Sequence, residues 1–142
     1  MLVIGFGNTL RSDDGAGIRA AELVAERYSN ADCITTHELH PEMAETIAEH
    51  DKVFFIDASV RVSSMTVVPL HPDGTPQALH SHAHSPQSLV NLCRDLYAAT
   101  PSLCLLIELP VFTIAFGENL SAATHRAVQE AVDYIGSVLG RL

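Results

Sequence analysis

The chain has 142 residues, of which 47% are hydrophobic and 18% charged, which indicates one globular domain rather than a disordered segment. Its formal net charge of −9 disfavours nucleic acid and anionic membranes as partners and suits a metal cation or a basic peptide. The 3 cysteines are widely spaced without a CxxC pair, which predicts free, buried thiols in a reducing cytoplasm. No run approaches the ~20 apolar residues of a membrane helix.

The first half of the chain alternates between strand and helix patterns. The apolar residues 1–5 predict a buried first strand, and apolar residues three or four apart predict a helix over residues 14–28. "CITTH" predicts a second strand, "HPEMAETIAEHD" a short helix with Pro41 in its first helical position, and "KVFFIDASV" a third strand.

The second half continues this alternation. "SMTVVPL" predicts a fourth strand, at an edge because Pro69 cannot donate to a neighbour. "SPQSLVNLCRDLYAAT" predicts a helix capped by Ser85, and "SLCLLIEL" a fifth strand that "VFTIAF" extends or follows. Ser121 caps a closing helix. We therefore expect one domain over residues 1–142, an α/β three-layer α/β/α sandwich with a mostly parallel, twisted central sheet of about five strands.

Polar residues follow several of these strands, and the carboxyl ends of parallel strands are where such folds form their sites. A His/carboxylate cluster drawn from separate loops at this edge is typical of a metal site. The candidates are Asn8, Asp13 and Asp14 after the first strand, Glu38 and His40 after the second, Asp57 after the third, and His80, His82 and His84 before the third helix.

The stretch "GFGNTLRSDDGAG", residues 5–17, begins like a dinucleotide-binding loop, but its third motif position is Leu10 instead of glycine. Asp13 and Asp14 would also stand at the helix N-terminus, where they repel a pyrophosphate. A nucleotide-dependent enzyme is therefore the weaker alternative. One aspartate suffices to cap the helix, so we assign Asp13 mainly to structure and leave Asp14 for the site.

The same stretch matches GxGNxLxxDDGxG at every specified position, and the chain thereby resembles the hydrogenase maturation endopeptidases. Those proteases trim the C-terminal tail of the large subunit of nickel-iron hydrogenases. The resemblance implies three metal ligands, Asp14, Asp57 and a histidine before the third helix. Ser81-His82 followed by Leu89 and Val90 fits the family pattern better than His84 does. After the second strand, "HELHPEMA" replaces a glycine- and threonine-rich motif of many members.

Two oxygen ligands and one nitrogen ligand permit nickel or zinc. The resemblance implies Ni²⁺ delivered in the substrate, although Zn²⁺ or another divalent ion would also suit the site. The implied partner is the large-subunit precursor of a nickel-iron hydrogenase, with no nucleic acid or membrane partner, and we expect a monomer.

No GxSxG, HExxH or Ser-His-Asp pattern is present, so we predict metal-assisted peptide hydrolysis with Asp14, Asp57 and His82 as the catalytic set. Either aspartate is also eligible as a general base. The alternative on the same fold is a non-catalytic nickel-binding checkpoint module that leaves the tail intact.

Overall fold

The strands and helices follow one another in the predicted order in the computed structural model, which describes residues 1–75 and 84–140. The strands are β1 (Leu2–Phe6), β2 (Asp32–Thr36), β3 (Lys52–Ser59), β4 (Thr66–Pro69) and β5 (Leu103–Pro110). The helices are α1 (Ala16–Arg27), α2 (Met43–Ala48), α3 (Pro86–Tyr97) and α4 (Ala122–Leu139), with a 3₁₀ turn at Ser12–Gly15 before α1.

The five strands form one sheet in the order β2-β1-β3-β5-β4. The pairs β1–β2, β1–β3 and β3–β5 are parallel, whereas β4 is an antiparallel edge strand beside β5, as Pro69 predicts. The strand order reverses between β1 and β3, and such a switch point opens a crevice at the carboxyl ends of the two strands.

Helices cover both faces of the sheet, which confirms the three-layer fold. Buried side chains of α1 and α4 pack with Val3, Phe54 and Ile107 on one face. On the other face, α2 and α3 pack against Ile4 and Phe55. Residues 53, 55, 104 and 106 belong to this second face, and because side chains alternate along a strand, Asp57 and Glu108 project to it as well.

The predicted caps are confirmed. The Ser85 hydroxyl accepts a hydrogen bond from the Ser88 amide at the start of α3, and the Ser121 hydroxyl accepts one from the Thr124 amide at the start of α4. The cysteines Cys33, Cys93 and Cys104 are free. No helix within the described ranges is long and apolar enough to cross a membrane.

Three local expectations are wrong. The "VFTIAF" segment is a loop, because its backbone groups bond to the 3₁₀ turn instead of to a strand. Pro41 lies in a turn, and α2 begins two residues later. Asp57 does not end β3, which continues to Ser59.

Candidate functional site

Two glycines of the opening motif allow the chain to fold tightly over the ends of β1 and β3. Gly7 has a φ of 144°, and a Cβ atom there would collide with the carbonyl oxygen of Asp14. A Cβ atom on Gly17 would collide with the carbonyl oxygens of Ile56 and Phe6. Because only glycine fits these contacts, the motif places the Asp13–Asp14 turn directly against the switch point of the sheet.

The Asp13 carboxylate holds the loop between β5 and α4. It is fully buried and accepts hydrogen bonds from the amides of Phe112, Thr113 and Ser121 at 2.8, 3.0 and 2.6 Å, and from the Ser121 hydroxyl at 2.8 Å. Burial by itself would raise the pKa of Asp13, but these hydrogen bonds outweigh it and hold the pKa below its usual value. The structural role assigned to Asp13 is confirmed, although the amides it binds are those of a distant loop and not those of its own helix.

Asp14 follows Asp13 in the sequence, but it lines a cavity. Its Oδ2 atom accepts a hydrogen bond of 2.9 Å from the Asn8 amide, while the Asn8 side chain accepts one from the Leu10 amide. The asparagine of the motif therefore shapes the turn that presents Asp14. The Asp14 carboxylate keeps unused lone pairs, since an ionised carboxylate has about four acceptor sites.

The cavity, of about 470 Å³, joins Asp14 to two further carboxylates, those of Asp57 and Glu108. Asp57 and Glu108 are register partners on the parallel strands β3 and β5, so their side chains stand next to each other on one face. Among the described residues, none of these three carboxylates forms an ion pair. Arg61 also lines the cavity. The negative charge of the site is therefore available to a cation from outside.

The electrostatics of Asp57 reflect this crowding. Its pKa is raised from 3.8 to about 7, chiefly by burial; a hydrogen bond from the Ala58 amide opposes the rise, and the nearby charges of Asp14 and Glu108 add to it. Such a carboxyl group is poised to exchange a proton near neutral pH or to bind a cation that replaces the proton.

Glu108 is the site residue that the sequence analysis missed. The available signal was one charged residue within the otherwise apolar strand "SLCLLIEL". Its placement beside Asp57 depends on the register of β3 and β5, which are far apart in the sequence. Thr66, its register partner on β4, has a hydroxyl group that is shielded from water and has no hydrogen-bond partner within the described structure.

None of the other candidates that the structure describes lines this cavity. Glu38 and His40 are exposed and do not line it. His80 and His82 lie outside the described residues, so the choice of His82 stays a prediction. His84 is not one of the described lining residues, and both of its ring nitrogens are shielded from water with no hydrogen-bond partner in residues 1–75 and 84–140.

The described carboxylate groups that line this cavity offer only oxygen atoms as metal ligands. Within the part of the chain that the structure covers, no group of three or more His, Cys, Asp or Glu residues has an arrangement that could hold a metal ion. Asp14 and Asp57 fit two positions of the expected ligand set, because both are carboxylates on one cavity and neither is neutralised by a described cation. The nitrogen ligand of the expected set is not among the described residues that line this cavity.

A second cavity, of about 530 Å³, lies against the 3₁₀ turn and the start of α4. Its lining mixes Arg19 with Glu22 and Glu118, and Arg19 approaches Glu22 at 3.8 Å. Because its charges partly compensate one another, the three-carboxylate cavity is the better candidate for a cation-dependent site.

The fold is that of several solved hydrogenase maturation proteases. No protein-family model matches the sequence, and no curated protein matches it. The structure superposes on the hydrogenase maturating endopeptidase HybD from E. coli with a TM-score of 0.78 and 20% identity, over 99% of this chain and 91% of that chain.

Two archaeal structures agree. The [NiFe] hydrogenase maturation protease HybD from Thermococcus kodakarensis gives a TM-score of 0.70 at 21% identity, over 96% of this chain and 97% of that chain. A hydrogenase 2 maturation peptidase from a Thaumarchaeota archaeon gives 0.72 at 23% identity, over 98% and 97%. The α/β fold is thus shared along nearly the whole length of the chain.

Proposed function

We propose that this chain is an endopeptidase that removes the C-terminal extension of a nickel-iron hydrogenase large-subunit precursor after nickel insertion. The observation that carries the proposal is the meeting of Asp14 and Asp57 in one cavity at the switch point of the sheet. The opening motif and the shared fold support the same assignment.

In this proposal the nickel ion belongs to the substrate. Asp14 and Asp57 bind it through carboxylate oxygens, and His82 contributes the nitrogen ligand. A divalent ion at such a site polarises a scissile carbonyl group or activates a water molecule. Since the precursor supplies the ion, cleavage depends on prior metal insertion.

The residues of this chain supply orientation and proton transfer. The Asn8 amide fixes one oxygen of Asp14, and the packed strands β3 and β5 fix Asp57. With a pKa of about 7, Asp57 exchanges a proton at physiological pH, so it is the better placed of the two to act as general base when the ion does not occupy it.

The test is a cleavage assay with the nickel-loaded precursor and a nickel-free control, in which the loss of the tail is followed by mass. We expect cleavage only of the nickel-loaded precursor and its loss in Asp57→Asn. The matched control is Asp133→Asn, an exposed aspartate of α4 outside the cavity, which should cleave normally. Equal cleavage of both precursors would contradict nickel gating. Nickel-dependent binding without cleavage would establish the checkpoint module instead.

A further inference from the structure

The loop between β5 and α4 exposes large apolar side chains beside the three-carboxylate cavity. Phe116 is 80% exposed and Ile114 56% exposed, while Leu10, from the facing segment after β1, is 46% exposed. Val60, directly after the end of β3, is 76% exposed. We call these four residues the apolar rim. Clustered apolar groups that stay in water mark interaction surfaces, because their burial is favourable.

Hydrogen bonds hold the backbone of the loop between β5 and α4 and join it to the segment of Leu10. The amide of Gly117 donates to the Leu10 carbonyl and the amide of Ser12 donates to the Gly117 carbonyl, both at 2.8 Å. The Ser12 hydroxyl donates to the Ala115 carbonyl at 2.6 Å, and the Asp13 carboxylate holds both ends of the loop. Since the loop is already ordered, a partner that covers its side chains loses little additional conformational entropy.

The rim is continuous with the site. Ile114 and Val60 line the same cavity as Asp14, Asp57 and Glu108. Phe116 follows Ile114 by two residues, and the Gly117 amide joins this segment to the one that carries Leu10 by donating to the Leu10 carbonyl. The surface thus combines an anionic centre with an apolar border.

The charge of a possible partner decides whether it can bind this surface. A second copy of this chain would bring a net charge of −9 and another acidic cavity, so the two would repel each other. An anionic membrane is disfavoured for the same reason. A protein with a cationic centre flanked by apolar side chains complements both parts of the surface.

We propose that the apolar rim docks the hydrogenase large-subunit precursor, whose apolar side chains pack on Ile114 and Phe116 while its metal centre enters the cavity. This inference rests on the proposed function for the identity of the partner. It adds that recognition has two separable parts: rim contacts that are independent of nickel and carboxylate contacts that require it.

The test measures binding instead of cleavage. Phe116→Ser, Ile114→Ser and Asp57→Asn are compared with wild type for their affinity toward nickel-loaded and nickel-free precursor by biolayer interferometry. Leu96→Ser is the matched control, because Leu96 of α3 is 46% exposed but lies outside the rim. Thermal unfolding of each variant checks that the fold is retained.

We expect each rim variant to weaken binding of both precursor forms by about tenfold or more, with Leu96→Ser unchanged. Asp57→Asn should weaken only the nickel-loaded complex. Wild-type affinity in both rim variants would overturn the docking proposal, as would the absence of binding by wild type. If the rim variants bind the precursor normally but lose self-association, the rim binds a second copy of this chain, and the docking proposal is overturned as well. Rim-dependent binding without cleavage would leave the docking proposal intact and refute only the protease function.

Discussion

Asp13 and Asp14 are adjacent in the chain, yet their carboxylates do different work. Asp13 is buried and binds the loop that precedes α4, whereas Asp14 lines the cavity with Asp57. The 3₁₀ turn makes this division possible, because it directs consecutive side chains to different sides. Substitutions at the two positions should therefore separate stability from activity.

Asp13→Asn should destabilise the fold by about 2–4 kcal/mol, because an amide group replaces a charged acceptor and its NH₂ faces backbone donors. The lowered pKa of Asp13 predicts the pH dependence of its contribution. That contribution is present above the usual pKa of 3.8 and is lost as the pH falls through the lower folded-state value. Urea unfolding of wild type and Asp13→Asn between pH 2 and 7 measures this dependence. The difference between their free energies of unfolding should become smaller in acid. A difference in free energy of unfolding that stays constant over this pH range would contradict this account.

Asp14→Asn should leave stability within about 1 kcal/mol of wild type, because this carboxylate is partly exposed and accepts one described hydrogen bond, from the backbone amide of Asn8. It should abolish nickel-dependent cleavage, since the amide is a poor ligand for the ion. Urea unfolding and the cleavage assay, run on the same preparation, check both expectations. A large loss of stability with normal cleavage would reverse the roles of the two aspartates.

Asp57 should make the metal-free protein less stable as the pH rises. Below pH 3.8 the group is protonated in both the folded and unfolded states, and there is no penalty. From there to about pH 7 the unfolded state ionises while the folded state stays protonated, and the penalty grows. Asp57→Asn removes a penalty of about 4 kcal/mol at most, reduced by solvent at this partly exposed site.

Urea unfolding in the presence of a chelator, at pH 4.5 and pH 8, measures this effect. The variant should gain stability over wild type mainly at pH 8, while Asp133→Asn follows the wild-type profile. Parallel profiles for wild type and Asp57→Asn would show that burial does not perturb this carboxyl group.

Glu108→Gln should lower the pKa of Asp57, because it removes a negative charge from the register position beside it. The change should be smaller than the effect of burial, which dominates the raised value. An NMR titration of the Asp57 carboxyl carbon measures it directly. Glu45→Gln on α2, outside the cavity lining, is the control, and an unchanged Asp57 pKa in Glu108→Gln would place the two groups too far apart to interact.

His82→Ala should remove the preference for nickel-loaded over nickel-free precursor, whereas His84→Ala should keep it. The reason is that the sequence around His82 resembles the pattern of the hydrogenase maturation endopeptidases better, and His84 is not one of the described residues that line the cavity. The ratio of the two precursor affinities measures the preference. Equal losses in both variants would show that the sequence does not distinguish the two histidines.

The arrangement of strands and helices was predictable because apolar periodicity and caps such as Ser85 and Ser121 are local signals. Asp14 and Asp57 were predictable because the carboxyl ends of parallel strands converge. Glu108 was not, because its proximity to Asp57 requires the register between two strands. The "VFTIAF" loop looked like a strand because aromatic and β-branched residues favour strands, while its actual partners lie about a hundred positions earlier.

The contacts of Asp13 also bear on how the protein is made. They join residues separated by 99 to 108 positions, so the edge of the site cannot assemble until Ser121 has been synthesised. Closing so long a loop is slow relative to forming a helix or a turn. A nascent chain that ends before Val111 therefore carries Asp14 without the loop that borders the cavity, and only a chain that extends to Ser121 can form all the hydrogen bonds of Asp13.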